Sequence, residues 1–242
     1  AQFTGGEAPL VSGGTFEDGV NVTNIVVGRD VDEHEPNAAT TLWRGTDASP
    51  KFSVLSGGNI TVTDSINILS GYHLGLGMAS VPGSPVDMTL GAINAGGSFA
   101  VSGATTLTIN GNINSADALW INSYILADGA GYDIPGDVDI NEYVGANTMK
   151  VTGVINVTGG NAFISVADTL SMASFHNSGT GDVAIFAGGD ISVTDGAVDS
   201  GITNGINAGE MTVKSGGTLD VEGSLENSAG ATMTVAAADA IT

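Results

Sequence analysis

The 242-residue chain has no cysteine, which excludes a disulfide framework and any thiolate metal site, and leaves thiols silent about its compartment. Basic residues are almost as scarce. Only Arg29, Arg44, Lys51, Lys150 and Lys214 stand against 26 acidic residues, for a formal net charge of −21. Phosphate binding needs clustered Lys and Arg, so this balance argues against nucleic acid as a partner and against docking on anionic lipid. No run of about 18 apolar residues exists to cross a membrane as a helix. Aromatic residues make up only 5% of the chain. An interior of Val, Ile, Leu, Ala and Thr suits a narrow core of repeated aliphatic rows better than a wide globular one.

What is abundant is glycine, 37 residues against 6 prolines, within a composition that is 42% apolar. The glycines lack the Gly-X-Y period of collagen and instead punctuate short apolar alternations, which favours an all-β fold. The clearest stretch is Gly209 to Ala236. There Met211/Val213, Leu219/Val221 and Met233/Val235 are apolar pairs at spacing two, the period that puts both side chains on one face of a strand. Ser215-Gly216-Gly217, Glu222-Gly223-Ser224 and Asn227-Ser228-Ala229-Gly230 between them carry turn chemistry. The same alternation recurs at Phe52/Val54, Ile60/Val62, Ile66/Ile68, Phe99/Val101 and Leu107/Ile109. A 3.6-residue apolar stripe is nowhere sustained.

A period can be counted in the last third. Val151, Met172, Val193, Val213 and Val235 sit in similar cassettes at intervals of 21, 21, 20 and 22 residues. A period near 21 predicts a parallel β-helix, or β-solenoid, with these five residues forming one inward row along successive coils. The alternative is an antiparallel β-sandwich, whose strands also recur at short spacing. Residues 1–50 lie outside the cleanest repeat and read as an irregular N-terminal capping or assembly segment, with strand patterns at Val20/Val22 and Ile25/Val27. Residues 51–242 read as solenoid, with excursions near 71–95 and 115–147. The second excursion gathers Trp120, Tyr124, Tyr132 and Tyr143, which are expected to cover an apolar flank.

The run from Gly216 to Asn227, GGTLDVEGSLEN, followed by Ala229 to Val235, AGATMTV, resembles the repeats of bacterial secreted β-solenoids, among them autotransporter passenger domains and filamentous-haemagglutinin-like adhesins. The resemblance implies a right-handed parallel β-helix, export to the cell surface or beyond, and a role in adhesion, matrix or fibre building. An N-terminal Ala1-Gln2-Phe3 without an initiator Met is what removal of a signal peptide would leave.

Candidate chemistry is sparse. Asp30, Asp32, Glu33 and Glu35, with His34 among them, form the densest polar cluster, and Asp133, Asp137 and Asp139, with Glu142, form a second. In each, two Asp residues two apart would aim carboxylates to one side of an extended backbone, as oxygen ligation of Ca²⁺ requires, although neither cluster matches an EF-hand loop. A solvated acidic loop is the competing reading. His34, His73 and His176 stand alone, with no pairing that makes a zinc site. No nucleophile elbow or phosphate loop is present, and carboxylates are too abundant for any pair to point to glycoside hydrolysis. The chain therefore reads as a non-enzyme, a secreted structural or adhesive protein, with a carbohydrate-binding or carbohydrate-cleaving β-helix as the alternative and surface glycans as a possible partner class. Thr61-Val62-Thr63 and Thr106-Leu107-Thr108 have the form of water-ordering faces, but they do not recur at the 21-residue period.

The acidic total gives the molecule a charged coat that favours solubility and the company of cations. The tail, Ala236 to Thr242, is small and mostly apolar where a polar cap would be expected. Met233, Val235, Ala236 and Ile241 are accordingly the candidate assembly residues of a head-to-tail homopolymer, with a monomer whose tail folds back as its own cap as the competing reading.

Overall fold

A computed structural model describes residues 14–16, 19–28, 41–44, 50–78, 87–122, 148–194, 201–205, 209–228, 230 and 232–242. Every described element is a strand, and every described ladder between strands is parallel. Nine strands form one sheet, in spatial order β1 (Gly14–Phe16), β4 (Lys51–Ser56), β6 (His73–Met78), β9 (Ser98–Ser102), β12 (Leu119–Asn122), β14 (Ala162–Val166), β16 (Val183–Ala187), β19 (Met211–Ser215) and β22 (Met233–Ala237). Thirteen form the other. They are β2 (Val20–Val27), β3 (Thr41–Arg44), β5 (Ile60–Ile68), β7 (Asp87–Leu90), β8 (Ala92–Ala95), β10 (Thr106–Ile109), β11 (Ile113–Ser115), β13 (Thr148–Val157), β15 (Leu170–Asn177), β17 (Ile191–Val193), β18 (Gly201–Asn204), β20 (Leu219–Val221) and β21 (Ser224–Asn227). Adjacent strands in space are far apart in sequence and parallel, which an antiparallel sandwich cannot produce. The arrangement is consistent with a β-solenoid.

The second sheet contributes two limbs per coil. β2 pairs with β5 through Val20–Val22 and again through Asn24–Val27, with a register shift between, and β13 pairs with β15 in the same broken way around Val151 and Val154. In other coils the break separates two short strands, as in β7 and β8. With the nine-stranded sheet, each coil therefore has three straight limbs around one core. Period-two alternation supplies the inward side chains. The nine-stranded sheet lines up Val54, Leu76, Val101, Ile121, Ile164, Ile185, Val213 and Val235. The second limb of the other sheet lines up Ile25, Ile66, Ile93, Ile113, Ile155, Phe175, Ile202 and Leu225.

The single row expected of Val151, Met172, Val193, Val213 and Val235 divides. Val151, Met172 and Val193 are register partners 21 residues apart on the first limb. The next member of that row is Val221, 28 residues beyond Val193, and not Val213. Val213 and Val235 pair with each other in the nine-stranded sheet, where Val213 stacks on Ile185. The coil between β17 and β19 carries extra chain, so a step of 20 residues crosses from one limb to another. Intervals elsewhere also vary: 20 from Val101 to Ile121, 43 from Ile121 to Ile164, 22 from Val213 to Val235.

The expected boundaries shift for a similar reason. β2 already pairs in register with β5, so coiled structure begins by Val20 rather than at residue 51. β6, β7 and β8 are regular coil strands inside the expected excursion 71–95, and β12 is one inside 115–147. Among the described residues the chain also doubles back once. β3 lies on the outer side of β2, pairing with Asn24–Val27, while β5 occupies the inner side.

Corners are tightened by stacked glycines and stitched by side chains. A Cβ at Gly181 would overlap the carbonyl group of Gly160 in the coil below, and one at Gly216 the carbonyl oxygen of Gly188. We expect Gly181→Ala to cost about 1–3 kcal/mol through forced separation of two backbones, read as a lower urea midpoint. Acidic and amide side chains bridge the same corners: Asp182 accepts from the Glu210 N–H (2.9 Å), Asp190 from Thr218 (2.7 Å) and Asn161 from Asp182 (3.0 Å). Part of the carboxylate excess thus caps backbone donors of the next coil.

Candidate functional site

The second limb presents a column of amides to solvent. Its strands share the cassette Ile-Asn-x, in which two inward residues flank one outward asparagine: Ile66-Asn67-Ile68, Ile93-Asn94-Ala95, Ile113-Asn114-Ser115 and Ile155-Asn156-Val157. Parallel in-register pairing stacks the four asparagines directly over one another. Asn156 Nδ2 donates to Asn114 Oδ1 at 3.0 Å, Asn114 Nδ2 to Asn94 Oδ1 at 3.1 Å, and Asn94 Nδ2 to Asn67 Oδ1 at 3.2 Å. The chain continues from Asn67 Nδ2 to Ser65 Oγ (2.9 Å) and from Ser65 Oγ to Asn24 Oδ1 (2.9 Å). All five bonds point the same way, so each polarises the next.

Beside this column runs a shallow groove of about 310 Å³. It is lined by Asn67, Asn94 and Asn114 of the column and, just past the strand ends of successive coils, by Leu69, Gly96, Ala116 and Thr158 in that order along the stack. Leu69 is 40% exposed. Among the described residues, no ionisable side chain lines the groove.

Further along the column the amides give way to His176. Its Nδ1 lies 2.8 Å from Thr203 Oγ1 and its Nε2 3.3 Å from Ser174 Oγ. A serine–imidazole contact is the arrangement a nucleophile needs. Ser174, however, is 1% exposed and offers its hydroxyl no approach from solvent. The imidazole here bridges coils. A second amide column runs inside the corner: Asn177 Nδ2 donates to Asn204 Oδ1 (3.0 Å) and Asn204 Nδ2 to Asn227 Oδ1 (3.2 Å), with Asn177 and Asn204 both buried.

On the outer face of the nine-stranded sheet, Trp120 and Phe163 are register partners in successive coils, and Phe186, the partner of Ser165, lies diagonally across from Phe163 in the next coil. The Trp120–Phe163 ring centroids are 4.8 Å apart and the Phe163–Phe186 centroids 5.9 Å, with Lys214 Nζ 5.8 Å above the Phe186 ring. Phe163 and Phe186 are buried, so these rings pack and present no open stacking platform. Thr61, Thr89 and Thr108 do form an outward column on the first limb, and it ends at Lys150.

Asp30, Asp32, Glu33 and Glu35, and likewise Asp133, Asp137 and Asp139, lie outside the described residues, as do Tyr124, Tyr132 and Tyr143. Among the described residues no group of three His, Asp or Glu is placed to hold a metal ion, and no helix is long and apolar enough to cross a membrane. Of the assembly candidates, Met233 and Val235 are half-buried against the core, whereas Ala236 and Ile241 are exposed.

The amide column is not visible in the apolar pairs, because each asparagine is the residue between them. Its spacings of 27, 20 and 42 residues also hide it from any search for a fixed period. The recurring Ile-Asn-x cassette is the signal that would have found it. No protein-family model matches the chain, and no match to it was found among curated proteins or solved structures.

Proposed function

We propose that the protein is a secreted structural or adhesive component of the bacterial cell surface or extracellular matrix that extends by stacking one molecule on the next. The observation that carries this reading is the terminal coil. β21 and β22 each pair on one side only among the described strands, with β18 and β19 respectively. The inward side chains there are incompletely covered: Leu225 is 40% exposed and Ile241 51%, and Met233 and Val235 are half-buried. Strand edges with one described neighbour and apolar side chains are a template for further pairing, by a second copy or by further chain. At the opposite end, β1 and the Val20–Val22 part of β2 each have one described neighbour, β4 and β5. Edges of the same direction at both ends favour a head-to-tail contact, which does not close and so builds a fibre. The charge of −21 would keep such fibres apart laterally, and divalent cations would relieve that repulsion.

Sedimentation velocity tests the assembly. The chain should form a concentration-dependent series of oligomers, and Leu225→Glu combined with Ile241→Glu should raise the association midpoint at least tenfold without changing the far-ultraviolet spectrum. A protein that stays monomeric at millimolar concentration would refute stacking.

A further inference from the structure

We infer that the groove beside the Asn67–Asn94–Asn114 column is a binding site for a neutral, extended β-linked glycan lying along the solenoid axis. The inference rests on the adhesive half of the reading above and is independent of the assembly half.

The recognition chemistry is that of paired hydroxyls. In the column each amide spends one N–H and one oxygen lone pair on its neighbours. One N–H and one lone pair per residue remain, a donor and an acceptor side by side, which match the adjacent donor and acceptor of a vicinal diol. Because the bonds between coils already fix the amide planes, little side-chain entropy is lost when a sugar docks. Successive coils are spaced by about 4.8 Å, the interstrand distance of a sheet, which is close to the rise per sugar of an extended β-linked chain. An extended β-linked chain turns each sugar about half a revolution from the last, so the same sugar edge meets alternate amides of the column.

The rest of the groove fits the same occupant. Gly96 and Ala116 leave a floor with no bulky side chain, Leu69 supplies an apolar contact for the C–H face of a ring, and Thr158 closes the far end with a hydroxyl. Among the described residues the lining offers no ionisable group, which favours a neutral occupant over a phosphate, a carboxylate or a cation. The overall charge of −21 further disfavours an acidic polysaccharide. Its volume of about 310 Å³ is at the small end of ligand sites, so the affinity per contact is low and repetition along a polymer supplies the avidity.

Titration calorimetry of the full chain with cellohexaose, xylohexaose and laminarihexaose, and with polygalacturonate as the acidic control, tests the site. At least one neutral oligosaccharide should bind with a millimolar or tighter Kd, and polygalacturonate should not. Ala116→Leu, which fills the exposed floor, should weaken that binding more than tenfold. Asn114→Leu, which removes an amide, should weaken it about tenfold, and both variants should melt within a few degrees of the parent. No heat from any of the three neutral probes, or binding unchanged by both substitutions, overturns the proposal. A face that only orders water would give the first of these results together with ice-growth inhibition. The Leu225→Glu, Ile241→Glu protein should bind glycan as well as the parent does, which separates failure of the groove from failure of stacking.

Discussion

Val193→Asp should lower the stability of the protein by about 4 kcal/mol or more at pH 7, the cost of an unpaired carboxylate in an aliphatic stack. Val193 is fully buried, with Met172 on one side and Val221 on the other, and no polar group belongs to that row. Ser171→Asp is the matching control. Ser171 points outward next to Lys150 and Ser192, so the same charge should there change stability by no more than about 0.5 kcal/mol. The pH dependence has a definite sign. Burial raises the folded-state pKa of the introduced carboxyl above its unfolded value near 3.9. Above about pH 4 the unfolded chain has then lost a proton that the folded chain keeps, so the variant loses stability as pH rises, by about 1.4 kcal/mol per unit, until the folded group ionises. Urea titrations of both variants at pH 4 and pH 7 check the sign. A Val193→Asp protein as stable at pH 7 as Ser171→Asp would show that the row is not closed to water.

Asn204→Ala should cost about 3 kcal/mol, more than a single hydrogen bond supplies, because the buried Asn177 amide loses its acceptor while the Gly209 carbonyl and Asn227 each lose a donor. Asn204 is 1% exposed, accepts from Asn177 at 3.0 Å, and donates to Asn227 Oδ1 at 3.2 Å and to the Gly209 carbonyl at 3.1 Å. After truncation, Asn177 Nδ2 keeps only a long contact to the Gly181 carbonyl, at 3.4 Å. The damage should be local, since in a stacked array each coil's stability depends on its neighbours. Hydrogen exchange is expected to show faster opening in β18, β19, β21 and β22 and unchanged protection in β5, β8 and β11. A double-mutant cycle with Asn177→Ala should give a coupling energy well away from zero. Exact additivity of the two losses would mean that the internal amides do not act as a column.

The acidic surplus looks different once the corners are visible. Read as a coat, it accounts for solubility, but Asp182 and Asp190 accept backbone N–H groups of the next coil, so some carboxylates act as structural acceptors. The sequence reading had no means of separating these from solvated ones, since both sit in Gly-rich turns. Among the described residues, Trp120 makes a ring contact with Phe163, which is 43 residues on in the chain and one coil away in space.

By itself the sequence determined the all-β class, and the strands and the faces they bury wherever the apolar alternation is unbroken. Alternation at spacing two is a local property of an extended backbone, so Val20/Val22, Ile25/Val27, Phe52/Val54, Ile60/Val62, Ile66/Ile68, Phe99/Val101 and Leu107/Ile109 could be assigned to the interior without knowing any neighbour, and all are buried. Only the tertiary structure decided which residues lie above one another. Stacking compares positions across a whole coil, and coils differ in length wherever chain is inserted between limbs. A 20-residue step therefore carries Val193 to the wrong sheet at Val213, while steps of 27, 20 and 42 residues bring four asparagines into one column. Interstrand hydrogen bonding sets the register after the inserted chain has looped out, and the groove exists only as a consequence of that register.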